Sequence, residues 1–490
     1  MLDITLFRNE KTRELIRESE RKRFRDPAVV DQVAEADELW RKATYERSSC
    51  SRVKNIIGRL IGQKKRAKDF GPDEETELPA DLINQNISDV QTEHLNDLTV
   101  SQLKNYSAHV VGVEKTCREN EDLYLETRDS HLELIGNILH PRVVVSETED
   151  DNAVIAEHSA PAPLFDIDTP LLTHDILLEK IGGVDHKAGQ RVAGNRGYYL
   201  KGPAVYLAQA LIQTSLKILG DVGYEPIQTP YFMRSDVLEK VAQLNDFDDR
   251  LYRVDQGFSP VQDSNGTFED DGNATYLIAT SEQPLVALNQ DQKFGRNQLP
   301  IRYAGISTCF RTETGRHGQD TAGIFRVHQF DKVEQFVLAD PTPDAKLTSH
   351  DMMGEMINNC KSLLEALNIS YRIVSIVSKE LNLAASIKYD IEGLFPASTT
   401  TDESGIPEFV FRELVSCSNC TDYQSRRVNT QYANSKDHRF VHMLNSTMCA
   451  VPRMISAVLE SNQCADGIYV PQILRPYMPK KYEELIPFVQ

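Results

Sequence analysis

The chain has 490 residues, of which 40% are hydrophobic and 26% charged, values typical of a globular protein with two or three domains. Its formal net charge of -19 argues against a general attraction to nucleic acid or anionic membranes, although a basic region can be confined to one domain. The eight cysteines are dispersed, as in proteins of reducing compartments, and no apolar run has the length of a signal-peptide core or a membrane span. The sequence therefore predicts a cytoplasmic protein.

The N-terminal part of the chain carries the periodicity of two long helices. One pattern covers residues 26–68, and Arg47 and Lys54 interrupt it. A second pattern covers residues 110–138 and stops before Pro141, which cannot continue a helix. Together they predict an antiparallel helical hairpin. The apolar positions of the first pattern are Val33, Ala36, Trp40, Ala43, Cys50, Ile57 and Ile61.

The first of these helices is strongly basic in an otherwise acidic protein. Between Arg41 and Lys68 the sole acidic residue is Glu46. A solvated helix face would normally intersperse acids with the bases, so the excess favours contact with phosphates along an RNA duplex, recognised by shape. The candidate contacts are Arg52, Lys54, Arg59 and Lys64.

The middle of the chain is mixed in composition. Residues 146–151 form an acidic loop, and residues 160–163 read as a linker. The Gly-rich segment 194–202 has neither the P-loop nor the dinucleotide-binding spacing. Pro203 is well placed to begin an apolar helix, which is followed by an extended segment at 223–232. This helix and strand are candidates for a core element or a subunit interface.

The C-terminal part predicts several strands and a final helix. We expect strands at 276–280, 301–305, 335–338, 371–374 and 409–414, and a helix at 450–459. The predicted fold class is α+β, with a large antiparallel β-sheet flanked by helices. Residues 310–334 contain two Phe-Arg runs joined by a polar, Gly-containing connection, which predicts a hairpin with a mobile loop at 315–323. Arg311 and Arg326 would lie on adjacent strands and converge on one polyphosphate.

Three segments resemble the signature motifs of class II aminoacyl-tRNA synthetases: the helix 204–220 with the strand ending at Thr229-Pro230, the hairpin 310–330, and the run AVPR at 450–453 with its helix. The runs ATSE at 279–282, GIFRVHQF at 323–330 and ELVSCSNCTDYQ at 413–424 resemble seryl-tRNA synthetases of the eukaryotic cytosolic type. The resemblance implies a tRNA-binding domain with a coiled-coil arm at 1–140, a connecting segment at 141–190 and a class II catalytic domain at 191–490.

The resemblance also implies a reaction. Serine would attack the α-phosphate of ATP to form seryl-adenylate, and the seryl group would pass to tRNA(Ser) and, by analogy, to tRNA(Sec). Such chemistry depends on positioning and charge neutralisation and needs no protein nucleophile. The family pattern further implies a homodimer that uses Mg²⁺ with ATP and does not need zinc. Many eukaryotic relatives carry a basic C-terminal tail that the residues up to Gln490 do not include, so the resemblance makes no prediction about functions attributed to such tails.

The site residues are carried over from the family position by position. Arg311 and Arg453 are the expected catalytic residues; Arg311 would bridge the α-phosphate and the serine carboxylate. The expected ATP-binding residues are Arg311, Thr312, Glu313, Arg326, Val327, His328, Gln329, Phe330, Glu413, Leu414, Val415, Ser416 and Arg453, with Phe330 stacked on adenine and Glu413 and Ser416 holding the metal. The expected serine-binding residues are Thr280, Ser281, Glu282, Arg311, Glu334, Asn445 and Thr447, with Glu334 pairing the ammonium.

Other interpretations of these residues remain open at this point. Cys417 and Cys420 have the spacing of a zinc half-site, but Cys449 and Cys464 supply no matching pair, so buried structural cysteines are favoured. His317 and His328 suggest acid–base chemistry, although the family pattern favours a structural role. The chain could also be an inactive, synthetase-like binding protein or a class II ligase for another small amino acid.

Overall fold

The computed structural model describes residues 1–69, 76–161, 170–241, 251–254, 261–262, 268–269, 274–313, 323–401, 407–433 and 438–489. The chain divides into two compact units. The smaller unit comprises Asp3–Arg21 and Arg25–Ile135, and the larger comprises Met1–Leu2, Lys22–Phe24 and Gly136–Gln490. Within the described residues, none of the helices combines the length and the apolarity that crossing a membrane requires.

The smaller unit is built on two long helices that pack against each other. Its helices are α1 (Glu10–Lys22), α2 (Ala28–Ala67), α3 (Ala80–Asn84) and α4 (Val100–Glu133). Val33, Ala36, Ala43, Cys50 and Ile57 of α2 are buried, as the periodicity predicted. Thr99 caps the start of α4 by accepting a hydrogen bond from the Gln102 backbone N–H. The predicted helical hairpin is confirmed.

The charged interruptions of the seam are ion pairs between the two helices. Arg47 Nε lies 2.6 Å from Glu121 Oε2, and Lys54 Nζ lies 2.6 Å from Glu114 Oε2. The residue numbers of the α4 partners decrease as those of the α2 partners increase, so the two helices are antiparallel. The interruptions therefore link the helices instead of weakening the hairpin.

The predicted C-terminal end of the second helix is wrong. Helix α4 ends at Glu133, and Ile138 is partly exposed. The next residues exchange helical hydrogen bonds for bonds within the larger unit: the Asn137 N–H donates to Leu383 O, and Asn137 Nδ2 donates to Ala384 O and Cys420 O. The Asn137 N–H is thereby paired outside the helix, and its side chain pairs two carbonyl groups of the larger unit, before the chain reaches Pro141.

The larger unit contains a sheet in which eight of the described strands are ordered β1-β13-β14-β17-β19-β12-β11-β4. The β4–β11 pair is parallel and the other neighbouring pairs in this sheet are antiparallel, which confirms the predicted fold class. These strands are β1 (Ala153–His158), β4 (Glu225–Gln228), β11 (Ile301–Phe310), β12 (Gln329–Ala339), β13 (Tyr371–Ser375), β14 (Ile387–Leu394), β17 (Phe411–Asn419) and β19 (His442–Ala450).

Shorter strands surround this sheet. They are β2 (Val184–Asp185), β3 (Tyr199–Leu200), β5 (Phe232–Arg234), β6 (Arg253–Val254), β7 (Val261–Gln262), β8 (Phe268–Glu269), β9 (Thr275–Leu277), β10 (Lys293–Phe294), β15 (Thr400–Thr401), β16 (Pro407–Glu408), β18 (Gln431–Tyr432), β20 (Gln463–Cys464), β21 (Gly467–Tyr469) and β22 (Leu485–Pro487). The predicted strand at 276–280 thus begins one residue earlier and ends at Leu277. Beyond Leu277 the chain turns into the helix that begins at Glu282.

Helices of the larger unit cover the sheet and close its core. They are α5 (His174–Lys180), α6 (His186–Ala193), α7 (Pro203–Asp221), α8 (Ser235–Val241), α9 (Glu282–Leu288), α10 (Ser349–Ala366), α11 (Tyr423–Arg427) and α12 (Val451–Ser461). Leu211 of α7, Met356 of α10 and Ile455 of α12 are fully buried in one hydrophobic cluster with strand residues such as Val337. Burial of this apolar surface is the main force that fixes the sheet.

The central hairpin differs from the prediction in where its arginines lie. Strands β11 and β12 pair up to Phe310 opposite Gln329, so Arg311 and Arg326 both lie beyond the strand ends. The Arg311 N–H donates to His328 O across the opening at 2.8 Å. The predicted mobile loop at 315–323 lies outside the described residues except for Gly323.

One buried charge in the smaller unit should be essential to its stability. Asp37 is 1% exposed, and its carboxylate pairs with Arg8 at 2.8 Å, Arg41 at 3.0 Å and Arg128 at 3.7 Å. Asp37→Ala leaves three guanidinium groups without their shared partner, and we expect it to lower the free energy of unfolding by about 2–4 kcal/mol. Urea denaturation measures this loss, and Glu38→Ala on the exposed side of the same helix is the control. An equal loss in both variants would contradict the expectation.

Candidate active site

A cleft opens over one face of the large sheet, at the ends of β11, β12, β17 and β19. Its empty volume is about 530 Å³. The lining combines charged side chains, most of them cationic, with apolar and aromatic ones. The lining residues are Arg311, Glu313, Phe325, Arg326, Val327, Phe330, Lys332, Glu413, Leu414, Thr447, Ala450, Pro452 and Arg453.

The three arginines predicted to bind ATP all line this cleft, and each is held by a carbonyl or a carboxylate. Arg311 Nε donates to Ala279 O at 3.3 Å, and Arg326 Nη1 lies 3.1 Å from Glu313 Oε2. Arg453 Nη1 donates to Glu413 O at 2.9 Å. The Arg311 guanidinium also lies over the Phe330 ring, 5.4 Å from its centroid. The site therefore offers several guanidinium forks to a polyphosphate.

Two residues that support these groups were not predicted as site residues. The Phe325 ring lies 5.0 Å from the Arg453 guanidinium and 5.5 Å from that of Arg412, so one aromatic ring contacts two cations. Arg196 approaches Glu313, with Nη1 3.9 Å from Oε2. Phe325 belongs to the run GIFRVHQF, whose resemblance to the family was the one available signal for it. Arg196 lies in the Gly-rich segment, whose spacing carried no signal for this contact.

Acidic and hydroxyl groups lie close together on the neighbouring strands β14 and β17. Partial removal of the Glu413 carboxylate from water would by itself raise its pKa. The positive charges of Arg453, Lys388 and Arg311 outweigh this effect and lower the pKa to about 2. Ser416 stands opposite Asp390 across the two strands. Burial raises the pKa of Asp390 to about 7 despite the Lys388 ammonium 3.0 Å away. Within the part of the chain that the structure describes, Asp390 Oδ1 is buried without a hydrogen-bond partner. Hard oxygen donors are thus concentrated beside the cleft.

Glu334 is the centre of the predicted serine pocket and is 3% exposed. Its Oε2 accepts hydrogen bonds from Thr280 Oγ1 at 2.5 Å, Ser281 Oγ at 3.0 Å and the Glu282 N–H at 3.3 Å. Burial alone would raise the pKa of Glu334, but Lys332 and these hydroxyls more than compensate, and the pKa lies below its usual value. The structure thus holds an ionised carboxylate inside the protein.

Glu282 is a second carboxyl group in the same pocket, with the opposite behaviour. Asn445 Nδ2 and Gln424 Nε2 donate to its Oε1 at 2.9 Å and 2.7 Å. Burial and the neighbouring charge of Glu334 raise the pKa of Glu282 to about 7. Gln424 was not predicted as a site residue, although it ends the quoted run at 413–424. The pocket therefore combines one ionised carboxylate with one that titrates near neutrality.

The remaining predicted residues lie around these two subsites. Thr447 pairs with Glu334 across β19 and β12 and lines the cleft. His328 Nδ1 donates to Arg311 O at 3.0 Å, which gives this histidine a structural contact. Val415 is fully buried in the hydrophobic core, so its side chain does not line the cleft. Thr312 directly precedes Glu313, and Gln329 is exposed at the start of β12.

The cysteines near the site are buried. Cys417 is fully buried and Cys420 is 1% exposed, and burial raises the pKa of both thiols. Among the described residues, no group of three or more His, Cys, Asp or Glu side chains has an arrangement that could hold a metal ion. His317 lies outside the described residues.

The predicted RNA contacts lie in the smaller unit and fall into two classes. Arg52 and Arg59 are exposed, and they donate to Ser88 O and Thr92 Oγ1 at 2.7 Å and 3.3 Å. Lys54 and Lys64 are only partly exposed because Lys54 pairs with Glu114 and Lys64 approaches Asp69. The arginines therefore offer more of their charge to a partner than the lysines do.

The raised pKa of Glu282 makes a prediction for stability. The folded protein binds the Glu282 proton more tightly than the unfolded chain does. The protonated carboxyl group therefore contributes to the free energy of unfolding at acidic pH, and this contribution is lost as the pH rises through about 7. Glutamine cannot ionise and keeps an acceptor for Asn445. We expect Glu282→Gln to raise the free energy of unfolding relative to the wild type by on the order of 1 kcal/mol at pH 8.5 and by little at pH 5.

Urea denaturation at the two pH values measures this difference. The control is Glu380→Gln, which changes an exposed carboxylate and should show the same small effect at both pH values. A Glu282→Gln effect that does not depend on pH would refute the assignment of a titrating group to this pocket.

Comparison with known proteins agrees with this geometry. Residues 267–462 match the family model "tRNA synthetase class II core domain (G, H, P, S and T)", and residues 1–106 match "Seryl-tRNA synthetase N-terminal domain". The cytoplasmic serine–tRNA ligases of Mus musculus and Homo sapiens are 44% and 43% identical to this chain, over 100% of it and 92% of their own length.

Solved structures are similar over the same extent. The cytoplasmic serine–tRNA ligase of Naegleria fowleri, solved in complex with AMP, has a TM-score of 0.84 and 40% identity, covering 100% of this chain and 99% of its own. The seryl-tRNA synthetase of Pyrococcus horikoshii, solved with ATP, has a TM-score of 0.80 and 31% identity, covering 100% of both chains. The chain therefore belongs to the seryl-tRNA synthetase family, within the class II aminoacyl-tRNA synthetases.

Proposed function

We propose that the protein activates L-serine with ATP to form seryl-adenylate and pyrophosphate, and then transfers the seryl group to tRNA(Ser). The observation that carries this proposal is the juxtaposition of two subsites on one face of the sheet. A cleft lined by Arg311, Arg326 and Arg453 adjoins a pocket built on Glu334 and Glu282. A nucleotide polyphosphate and a small zwitterion can thereby meet at their reacting atoms.

The residues of the chain would act by orientation and charge neutralisation. Arg311 stands between the subsites, where its guanidinium can contact both the serine carboxylate and the α-phosphate. Arg326 and Arg453 neutralise the other phosphates, and Phe330 offers a ring to adenine. A carboxylate oxygen of serine then attacks the α-phosphorus of ATP, and the bond from this phosphorus to the bridging oxygen breaks as pyrophosphate leaves. No covalent bond to the protein forms.

We propose that Mg²⁺ accompanies ATP at Glu413 and Ser416. The donor set fits this ion, because Glu413 has a low pKa, its side chain is 45% exposed, and the nearby Asp390 Oδ1 is buried and accepts no hydrogen bond from the described residues. When bound, Mg²⁺ would neutralise phosphate charge. Glu413, Ser416 and Asp390 would orient it.

We also propose a domain assignment and the partners of the enzyme. The tRNA-binding domain spans residues 1–140, the connecting segment 141–190 and the catalytic domain 191–490. The protein would act in the cytoplasm as a homodimer through the α7 region, and it would serylate tRNA(Sec) as well as tRNA(Ser). Support comes from membership in the family and from the exposed basic side chains of α2.

Pyrophosphate exchange into ATP without tRNA tests the first step. We expect exchange with serine, and at least about 100-fold lower kcat/KM with alanine, because alanine leaves the polar groups of the pocket unpaired. Threonine is the steric control. Arg453→Gln should lower exchange at least about 10-fold while the protein remains folded, since one charge-assisted contact to phosphate is lost. Absence of serine-dependent exchange in well-folded wild-type protein would refute the proposal.

A catalytically inactive, synthetase-like binding protein is the second interpretation of the sequence. The chain has Arg311, Glu313, Arg326, Glu334, Glu413 and Arg453 at the matching positions, all of which an inactive relative would be free to lose. Their arrangement around one cleft therefore favours the enzyme. The exchange assay distinguishes the two, because an inactive protein would bind RNA without exchanging pyrophosphate.

The basic face of α2 should affect tRNA charging but not serine activation. Arg52→Gln/Arg59→Gln removes two exposed charges, and we expect the KM for tRNA to rise about 3- to 10-fold and the slope of log K against log salt to fall by about two. The rate of pyrophosphate exchange should not change. The control Lys115→Gln/Arg118→Gln removes the same charge from the exposed side of α4. Equal loss of exchange and charging would identify Arg52 and Arg59 as folding residues.

A further inference from the structure

The two carboxylate oxygens of Glu334 have very different surroundings. Oε2 is within 3.3 Å of four donor groups: Thr280 Oγ1, Ser281 Oγ, the Glu282 N–H and Lys332 Nζ, the last at 2.9 Å. Oε1 receives no hydrogen bond from any residue that the structure describes. A carboxylate oxygen has about two lone-pair directions, so Oε2 is saturated and Oε1 is the acceptor left for a ligand.

Lys332 is the one cation among these donors, and the sequence prediction did not include it. It lies two residues before Glu334 on β12, so the alternation of the strand puts both side chains on the same face of the sheet. The Lys332 side chain is 6% exposed. Its Nζ also donates to Thr280 Oγ1 at 2.7 Å. Because this bond occupies an acceptor direction of the Thr280 hydroxyl, the hydroxyl hydrogen is directed to Glu334 Oε2.

The pocket contains two carboxyl groups, Glu334 and Glu282. Like charges in one buried pocket oppose each other's ionisation. Lys332 lies on the Glu334 side and compensates that charge, while Asn445 and Gln424 hold Glu282 with neutral donors. The charge pair therefore favours ionisation of Glu334 over Glu282 and occupies Oε2, which leaves Oε1 as the oxygen without a donor among the described residues.

We propose that Lys332 is a positioning residue for the substrate ammonium: it occupies Glu334 Oε2, directly and through Thr280, so that the ammonium binds at Oε1. This inference rests on the proposed serine activation and specifies how its amino-acid subsite works. Lys332 does not contact the ammonium, since both are cations. Its removal releases Thr280 and lets the Glu334 carboxylate rotate or take up a proton.

Competitive inhibitors of serine-dependent pyrophosphate exchange test the proposal. Serinamide keeps the ammonium and lacks the carboxylate, whereas glycerate keeps the carboxylate and has a hydroxyl in place of the ammonium. For Lys332→Met at pH 7.5 we expect the inhibition constant of serinamide to rise about 10- to 100-fold, the cost of disturbing a charge-assisted contact. The constant for glycerate and the KM for ATP should stay within about threefold. Lys332→Gln retains a donor and should lie between wild type and Lys332→Met.

A matched control is available in the same sheet. Arg302 on β11 pairs with Glu355 of α10 at 2.8 Å, is partly buried and does not line the cleft. Arg302→Met removes a comparable cation–carboxylate pair and should leave the inhibition constant of serinamide within about twofold of the wild type.

Three outcomes would overturn the proposal while wild-type exchange remains normal. An unchanged constant for serinamide in Lys332→Met would show that the ammonium does not depend on this lysine. A lower constant would show that repulsion between the two cations outweighs positioning. An equal rise for serinamide and glycerate would show a general loss of the pocket. Failure of serine-dependent exchange in the wild type would instead refute the proposed function itself.

Discussion

The position of β12 in the sheet determines where the reactive groups lie. This strand pairs with β11 on one side and β19 on the other, with Glu334 opposite Gly305 and Thr447. A Cβ at Gly305 would approach Ser281 Oγ to 2.8 Å and Leu285 Cδ1 to 2.7 Å, so the absence of a side chain there lets the start of α9 contact the sheet. That contact brings Thr280, Ser281 and Glu282 to the carboxylate of Glu334.

Charge is separated on this surface in a way that suits a zwitterion and a polyphosphate. Arg311 and Arg326 lie beyond the strand ends and Arg453 lies in the first turn of α12, where all three reach the cleft. The carboxyl groups of the amino-acid pocket instead lie within the sheet or against it. Glu413 stands among Arg453, Lys388 and Arg311 and has a low pKa, while Glu282, held by neutral amides, has a raised one. Two glutamates of one site therefore have pKa values shifted in opposite directions by their neighbours.

Several features could be predicted from the sequence because they depend on local periodicity or on quoted motifs. The buried seam of α2 follows from spacing alone, and most of the residues that line the cleft follow from the resemblance of the hairpin and the flanking runs. The end of α4 could not be predicted, because Asn137 exchanges helical bonds for bonds to residues some 250 positions away. Gln424 and Arg196 were missed for a similar reason, since their partners Glu282 and Glu313 are remote in sequence. Lys332 is two residues from Glu334, but its contact with Thr280 is visible only in the structure.

The sequence by itself determined the class of the fold, the helical hairpin and the residue types available for phosphate and amino-acid binding, because these depend on periodicity and on runs of adjacent residues. Only the tertiary structure decided that Arg311 and Arg326 stand beyond the strands, that Lys54 is engaged with Glu114, and that one oxygen of Glu334 is saturated while the other is not. These properties depend on register and on distances between segments far apart in the chain. Hydrogen bonding and ionisation in a buried site respond to changes of an ångström, which no spacing in the sequence records.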